Sequence, residues 1–519
     1  LGTVAKSEAE GASVGEADMR ALLVYPEYPD TFWSFKHALR FVAKAAAHPP
    51  LGLLTVGAML PADWEPRLVD LNVAPLSDDD LLWAEVVLIS AMSIQAKSVR
   101  AVIERCKSFG RPIVAGGPLF TTTPDDFPDV DHLVLNEAEL TFPRFLHDFR
   151  QGRAQHLYSS TECADLSATP LPRWELVTPG KYASMSIQLS RGCPFDCEFC
   201  NVTSLFGRKP RLKSEGQIVA ELDHLYRSGW RGSVFFVDDN FVGSKERVKH
   251  GILPAVIEWM RRRGEPFCFN TQVSINLADD PELLGLMSQA GFTSVFIGIE
   301  SVDEESLAEC NKIPNKGRDL LAGVRTIQRA GLQVQGGFIV GFDHDSAGIF
   351  DRMTEFIQRS GIVTAMVGLL NAPRGTRLYQ RLEAEGRLLR EMTGDNTDCS
   401  QNFVPRMNPA ALRRGYQRVV QSIYSPAAYY QRVKTFLREF RPARRTLIWM
   451  LKPADLWLGA RFFFVLGVIQ KERTYLWRLL FWSLFRKPRL LLMALTFTAY
   501  GFHFRKCVER HQFAMAGDL

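Results

Sequence analysis

Three cysteines stand in the run Arg191-Gly192-Cys193-Pro194-Phe195-Asp196-Cys197-Glu198-Phe199-Cys200, with Asn201 and Thr203 just behind them. Thiols this close on a proline-containing loop cannot pair with one another without strain, but three thiolates can converge on one soft metal centre. Three protein ligands leave one position open. A structural zinc site would want a fourth Cys or His, usually from a second close pair, and the chain has no second Cys pair. An iron–sulfur cube held by three thiolates keeps one iron for a substrate or cofactor, an arrangement for catalysis. Three unrelated cysteines of a core strand are the remaining alternative.

The elements around this loop fall into two series. Short apolar runs at 22–25, 67–70, 86–90, 112–115 and 132–135 read as five buried parallel strands, with helix-length stretches such as 98–109 between them. This is a doubly wound, Rossmann-like α/β domain over 21–155. Ligands of such a fold sit at the carboxyl ends of the strands, where the sequence has Pro26, Asp70, Asn72, the loop Ser90 to Gln95 with Met92 in it, and Gly116-Gly117-Pro118. Paired glycines let backbone approach a ligand closely, though a tight turn would use them equally. Residues 156–181 read as an irregular linker. Strands expected at 186–190, 233–237, 267–270, 294–298, 334–340 and 364–369 then alternate with helices over 182–391, which suits a partial (β/α)6 barrel. The cysteine loop follows the first of these strands, where functional residues of a barrel belong. Beyond 392 the chain reads as helical, basic and apolar, with amphipathic helices at 410–423 and 427–440.

The Cys-x3-Cys-x-aromatic-Cys loop after a first barrel strand resembles that of the radical S-adenosylmethionine (SAM) superfamily, and the domain ahead of it resembles the module of the cobalamin-dependent branch. The resemblance implies a 4Fe-4S cluster on Cys193, Cys197 and Cys200, whose open iron chelates the amino and carboxylate groups of SAM. By position, Phe199 matches the aromatic bordering the adenine, Asp239 the segment facing the methionine amino group, and Gln272 and Ser274 polar nucleotide contacts. Glu300 corresponds to the acid for the ribose hydroxyls, and Ile339 lies in the adenine-stacking motif of the fifth strand. Asp70, Asn72, Ser90, Met92, Gln95, Gly116, Gly117 and Pro118 would face cobalamin, joined by Glu137 as a departure from the usual Gly-Glu pair. No Asp-x-His-x-x-Gly motif is present, so the resemblance implies cobalt without a protein histidine, facing the loop Ser90 to Gln95. Closer resemblance, at 241–245, 276–280, 336–343, 366–370 and 425–430, is to the hopanoid C-2 methylase group and relatives with the same C-terminal extension.

The implied activity is methylation of an unactivated carbon of a lipophilic, hopanoid-, lipid- or pigment-like molecule, through a 5′-deoxyadenosyl radical and methylcobalamin. Cyclisation or rearrangement with the same cofactors is the nearest rival, and a non-enzymatic cobalamin or iron–sulfur sensor the rival of another class. An electron donor such as ferredoxin or flavodoxin is implied as well. Of nine cysteines the other six are scattered singly, as in a reducing cytosol. Residues 1–20 read as a disordered lead-in without a secretory pattern. A net charge of +5 argues for no nucleic-acid partner. The charge is uneven, since 441–510 carries fourteen Lys and Arg against three acids. Its longest uncharged run, 490–504, is fifteen residues, short of the roughly 20 that span a bilayer. Aromatic and basic residues interleaved there suit contact with the inner face of the membrane by a cytoplasmic protein.

Overall fold

The computed structural model describes residues 19–395, 398–442 and 453–516. The lead-in expected over 1–20 falls, up to residue 18, outside them. Strands β1 (Met19–Tyr25), β2 (Trp64–Asp70), β3 (Val86–Ser90), β4 (Ile113–Gly116), β5 (His132–Val134) and β6 (Leu157–Tyr158) form one parallel sheet in the order β2-β1-β3-β4-β5-β6. Both faces are covered by helices, so Ala21, Leu22, Leu23 and Val24 are all buried rather than alternating. The sixth strand is a difference from expectation. It lies in the stretch read as linker, and two residues on a sheet edge carry no period to read. Trp174 in the same stretch is also fully buried.

The second sheet runs through β7 (Ser184–Ile187), β10 (Gly232–Phe236), β11 (Phe267–Val273), β12 (Phe292–Glu300), β13 (Gln333–Val340) and β14 (Ala365–Leu369), all parallel and in chain order. The expected six strands are present, several of them longer, so Gln272 lies within β11 rather than after it. Along β12, Val295, Ile297 and Ile299 are buried against the helices, while Phe296, Gly298 and Glu300 alternate onto the other face. β7 and β14 are the two edges, and the barrel is therefore partial. Between β7 and β10, β8 (Ser190–Arg191) and β9 (Arg211–Leu212) form a two-stranded antiparallel ribbon.

The open side is covered by the segment that follows β1. Ala46 bridges to Tyr182, and Ala47 O accepts from Ser184 N at 3.0 Å. Earlier in the segment, Trp33 donates Nε1 to Met366 Sδ at 2.9 Å and meets Phe296 edge-on at 5.4 Å. Helices Pro409–Tyr424 and Pro426–Glu439 match the expected amphipathic pair and pack on Ile349–Ser360. Helix Leu491–Ala516 returns to the first domain, stacking Phe504 on Phe32 at 4.2 Å. His503 Nε2 meets Phe32 O at 3.0 Å, and burial pushes its imidazole down to about 4.

Helix Pro409–Tyr424 can approach its neighbour only because residue 415 is glycine. A Cβ there would stand 2.2 Å from the Phe350 ring. Gly415→Ala should therefore cost about 1–3 kcal/mol through overpacking, read as a lower denaturation midpoint. Gly285→Ala, where a Cβ meets nothing within 4 Å, should be neutral or stabilising by up to about 1 kcal/mol.

Candidate functional site

The cysteine loop is built to be rigid. The β8–β9 ribbon closes its base, and Gly192 at φ +90° passes so near the carbonyls of Phe206, Gly207 and Lys209 that a Cβ would meet them at 2.9–3.1 Å. Only glycine fits that turn. Cys200 N donates to Cys197 O at 3.1 Å, and Glu198 N to Cys310 O at 2.9 Å. From outside the loop, Asn311 Nδ2 donates to Asp196 O at 2.9 Å, Arg377 Nη1 to Asp196 Oδ2 at 2.6 Å, and Arg381 grips both Glu198 oxygens at 2.8 and 3.1 Å. Beneath it, the fully buried Asp238 accepts from Ser190 and Leu189, and burial raises its carboxyl to about 7.

All three thiols are free and half-buried. Burial raises each of them, Cys200 to about 12. Without positive charge beside them they hold their protons, and metal ligation needs thiolates. Part of that charge is Lys312, which lowers all three. Its Nζ donates to Glu300 Oε1 at 2.8 Å. Burial pulls the ammonium down, but Glu300 and the thiols of Cys197 and Cys200 outweigh it and leave the group raised. Among the described residues no three His, Cys, Asp or Glu stand as a ready single-ion site. Three clamped thiols needing more positive charge than Lys312 supplies fit a multi-iron cluster, which brings its own.

Other expected residues gather here. Glu300 takes a left-handed backbone at φ 63°, where β12 slips register against β13, and Asn315 Nδ2 braces the turn on the carbonyls of Gly298 and Ile299 at 3.0 and 2.8 Å. A Cβ on Gly298 would lie 2.0 Å from Glu300 Oε1 and 2.9 Å from Lys312 Nζ, so the ion pair occupies the place of a side chain. Glu300, expected for ribose alone, is thus paired to a cation. Asp239 receives the Gly192 N–H beside Cys193, and burial raises it to about 6. Ser274 hydrogen-bonds Asn240, whose Nδ2 faces Cys193 Sγ at 4.0 Å. Phe199 and Ile339 meet in one apolar cluster with Phe342 and Leu370, and the O of Gln272 receives Phe241 N at 2.9 Å.

At the carboxyl ends of the first sheet, Asp70 accepts from Asn72 Nδ2 at 2.7 Å and from Tyr182 OH at 3.0 Å, and burial raises it. Asn72 Oδ1 receives Tyr28 N at 2.8 Å. Gln95, fully buried, holds Met92 N at 2.9 Å and Pro26 O at 2.5 Å, which leaves the Met92 side chain half exposed with Tyr28 OH at 3.4 Å from its sulfur. Gly116 and Gly117 admit no side chain: a Cβ would meet Val134 O at 2.5 Å and Ser90 Oγ at 2.6 Å. Pro118 opens the helix behind them. These residues lie at the carboxyl ends of β2, β3 and β4, beside the switch point between β1 and β3, where ligands of such sheets bind.

Glu137 lies just past the carboxyl end of β5. Buried, it is held by Arg191 and Arg211 at 2.8 Å, while Glu139 takes Arg191 Nη2 at 2.8 Å. This network ties the first sheet to the strand that leads into Cys193. Burial works against the charge of Glu139, yet Arg191 holds it at about 2. Its stabilisation is full above the unfolded value of 4.5 and is lost only as pH falls through about 2.

Sequence reasoning missed three things. Tyr25, which ends β1, and Tyr28 just past it share a hydrogen bond between their hydroxyls, and the rule that found Pro26 could have found them. Lys312 sits in an irregular stretch with no motif. The pairing of Glu139 with Arg191 joins distant segments and leaves no local pattern.

The chain matches the Radical SAM superfamily over 187–357, the B12 binding domain over 41–146, and DUF4070, a domain of unknown function, over 376–515. It is 39% identical over 490 residues to an uncharacterized methyltransferase of Synechocystis, covering 94% of this chain and 91% of the other. It is 35% identical over 427 residues to the hopanoid C-2 methylase of Rhodopseudomonas palustris, covering 81% and 80%. Among solved structures it resembles the cobalamin-dependent S-adenosylmethionine radical enzyme OxsB with aqua-cobalamin and S-adenosylmethionine bound, at a TM-score of 0.61 and 13% identity, over 96% of this chain and 84% of that one. This last likeness shows the fold.

Two variants separate the parts of the site. Lys312→Gln removes a cation that lowers all three thiols and should lower the iron retained per chain after reconstitution, read by iron–sulfur absorption against Lys312→Arg, which keeps the charge. Glu139→Gln should lower methylated product several-fold relative to 5′-deoxyadenosine, because the loop is retained while its tie to the first sheet loosens.

Proposed function

The chain belongs to the cobalamin-binding radical SAM methyltransferases, and on that premise we propose that it methylates an unactivated carbon of a lipophilic small molecule of the hopanoid, lipid or pigment kind. The enzyme uses a 4Fe-4S cluster, S-adenosylmethionine and cobalamin. The observation that carries the substrate class is Trp33. Its indole is 37% exposed and lies against Phe296 and Met366 at the open side of the barrel, an apolar wall suited to a flat hydrocarbon face.

Cys193, Cys197 and Cys200 would hold the cluster, with Lys312 facing the SAM carboxylate and Asp239 its amino group. Phe199 and Ile339 would border the adenine, while Gln272, Ser274 and Glu300 would receive polar atoms of the nucleotide. Asp70, Asn72, Ser90, Met92, Gln95, Gly116, Gly117 and Pro118 would cradle cobalamin. Glu137, committed to arginines, would act on cobalamin through position alone. When bound, these groups supply the electron that splits SAM and the methyl group that is transferred. The protein's own share is orientation and exclusion of water: the arginine clamps fix the loop, and the segment carrying Trp33 shuts the open side. A ferredoxin- or flavodoxin-class donor would deliver the electron, in the cytoplasm at the inner membrane face.

Mass spectrometry of lipid and pigment extracts, from cells with and without the gene, tests the reading. The expected product gains one methyl in place of hydrogen, and each turnover yields one 5′-deoxyadenosine and one S-adenosylhomocysteine. A product that has lost hydrogen with no added carbon would mean cyclisation. Cys197→Ala should abolish 5′-deoxyadenosine formation together with the iron–sulfur absorption.

A further inference from the structure

Helix Arg473–Arg486 is apolar on two sides. Leu476, Leu479 and Leu480 are buried inward, whereas Trp477, Phe481, Leu484 and Phe485 point outward and are exposed, Phe485 by 79%. A helix apolar all round is normally buried all round. Phe464, Val468 and Ile469 extend the bare surface, and a groove of about 300 Å³ lined only by apolar side chains, among them Phe463, Trp477, Phe481 and Leu491, opens into it. An exposed patch of this extent marks an interaction site. Around it Arg461, Lys471, Arg473, Arg478, Arg486 and Arg489 are exposed. The single acid between residues 457 and 500 is Glu472, and it is engaged by Arg505 at 2.9 Å.

We propose that this face docks on an anionic phospholipid bilayer, with the outward aromatics below the headgroups and the arginines at phosphate level. Charge decides the occupant. A basic rim around an apolar centre complements an anionic lipid surface, each cation there contributing through attraction and each stem through burial. A second copy of the chain would set the same six cations against themselves. Among the described residues no helix is long and apolar enough to cross a membrane, so the contact is one of lying on the surface. The inference deepens the lipophilic-substrate reading without depending on it. Ring contacts run inward from the docking face, from Trp477 to Phe463 at 5.9 Å, to Phe462 at 5.4 Å and to Phe41 at 5.4 Å. Phe41 belongs to the same short segment as Trp33, so the docking face and the segment over the barrel share one packed core.

Flotation of the full-length holoenzyme with vesicles of equal parts phosphatidylglycerol and phosphatidylethanolamine, against vesicles of phosphatidylcholine, tests the proposal. The protein should float with the anionic vesicles and be released by added salt. Phe481→Ser with Phe485→Ser should weaken binding about tenfold, and Arg478→Glu with Arg486→Glu and Arg489→Glu should remove the preference for anionic lipid. All five positions are exposed, and 5′-deoxyadenosine formation in detergent solution should match the unsubstituted enzyme, which shows that the fold and cluster survive. Protein left unbound by anionic vesicles, or binding untouched by the Phe481/Phe485 pair, overturns it. Self-association in vesicle-free solution that the same pair abolishes also overturns it and assigns the face to a second copy. Intact vesicle binding with unchanged cell extracts would instead sink the substrate reading alone.

Discussion

A buried thiol resists losing its proton, and beside other thiols it resists more. The framework of this protein is arranged around overcoming that resistance at three positions together. Lys312 supplies one positive charge from the segment behind helix Glu304–Glu309, held by Glu300, which takes a left-handed backbone where β12 slips register against β13. Asn315 repays that strain locally by bonding two carbonyls, and Gly298 makes room for the pair. The loop itself is fixed by Gly192, Asn311, Arg377 and Arg381. Four separate stretches of sequence thus hold three sulfur atoms, and the remaining charge is left for the metal cluster to bring.

What could be read from the sequence follows from how far each interaction reaches along the chain. The cysteine run and the strand periods are local, so the two sheets, the loop after the first barrel strand and the residues at strand ends were legible. The end expected at 270 for the third barrel strand falls three residues short, so Gln272 lies inside β11, since a strand's last residues toward the ligand carry no break in pattern. Glu300 was found as an acid but not as half of an ion pair, because Lys312 announces itself by no motif. Glu137 was assigned to cobalamin from its place after β5, while its partners Arg191 and Arg211 sit on a ribbon whose two-residue strands are too short to read. Buried charge networks are specified by the tertiary fold, and one sequence displays only their separate members.

That network bears on how two cofactor sites can act together. A buried ion pair often adds little net stability, because desolvation offsets the attraction, but losing one partner is costly. Its value is then geometric. Arg191 stands two residues before Cys193 and bonds both Glu137 and Glu139, so the distance from the first sheet to the cysteine loop is set by short, bidentate contacts rather than by the linker. The segment 156–181 would otherwise allow the domains to drift, although β6 and Trp174 already anchor part of it. A methyl group passed between two bound molecules tolerates little drift, since misplacement by about 1 Å can cost a hundredfold in rate.

The C-terminal region is part of the barrel's wall in the same mechanical sense. A six-stranded partial barrel has two unpaired edges and an open flank, through which solvent and its dissolved oxygen would otherwise reach the site. The flank is covered by residues 31–48 of the first domain, but that segment is short and irregular and has little core of its own. Its rigidity comes from behind: Phe32 stacks on Phe504 and Phe35 on His503 at 5.3 Å, Phe35 meets Tyr500 at a tilt at 5.0 Å, and Phe41 meets Phe462 edge-on. His503 can bond Phe32 O as a neutral ring because burial keeps it unprotonated near neutral pH. The helices that support the plug are the ones whose outer face is apolar and basic. One packed bundle therefore sets where Trp33 stands against Phe296 and Met366.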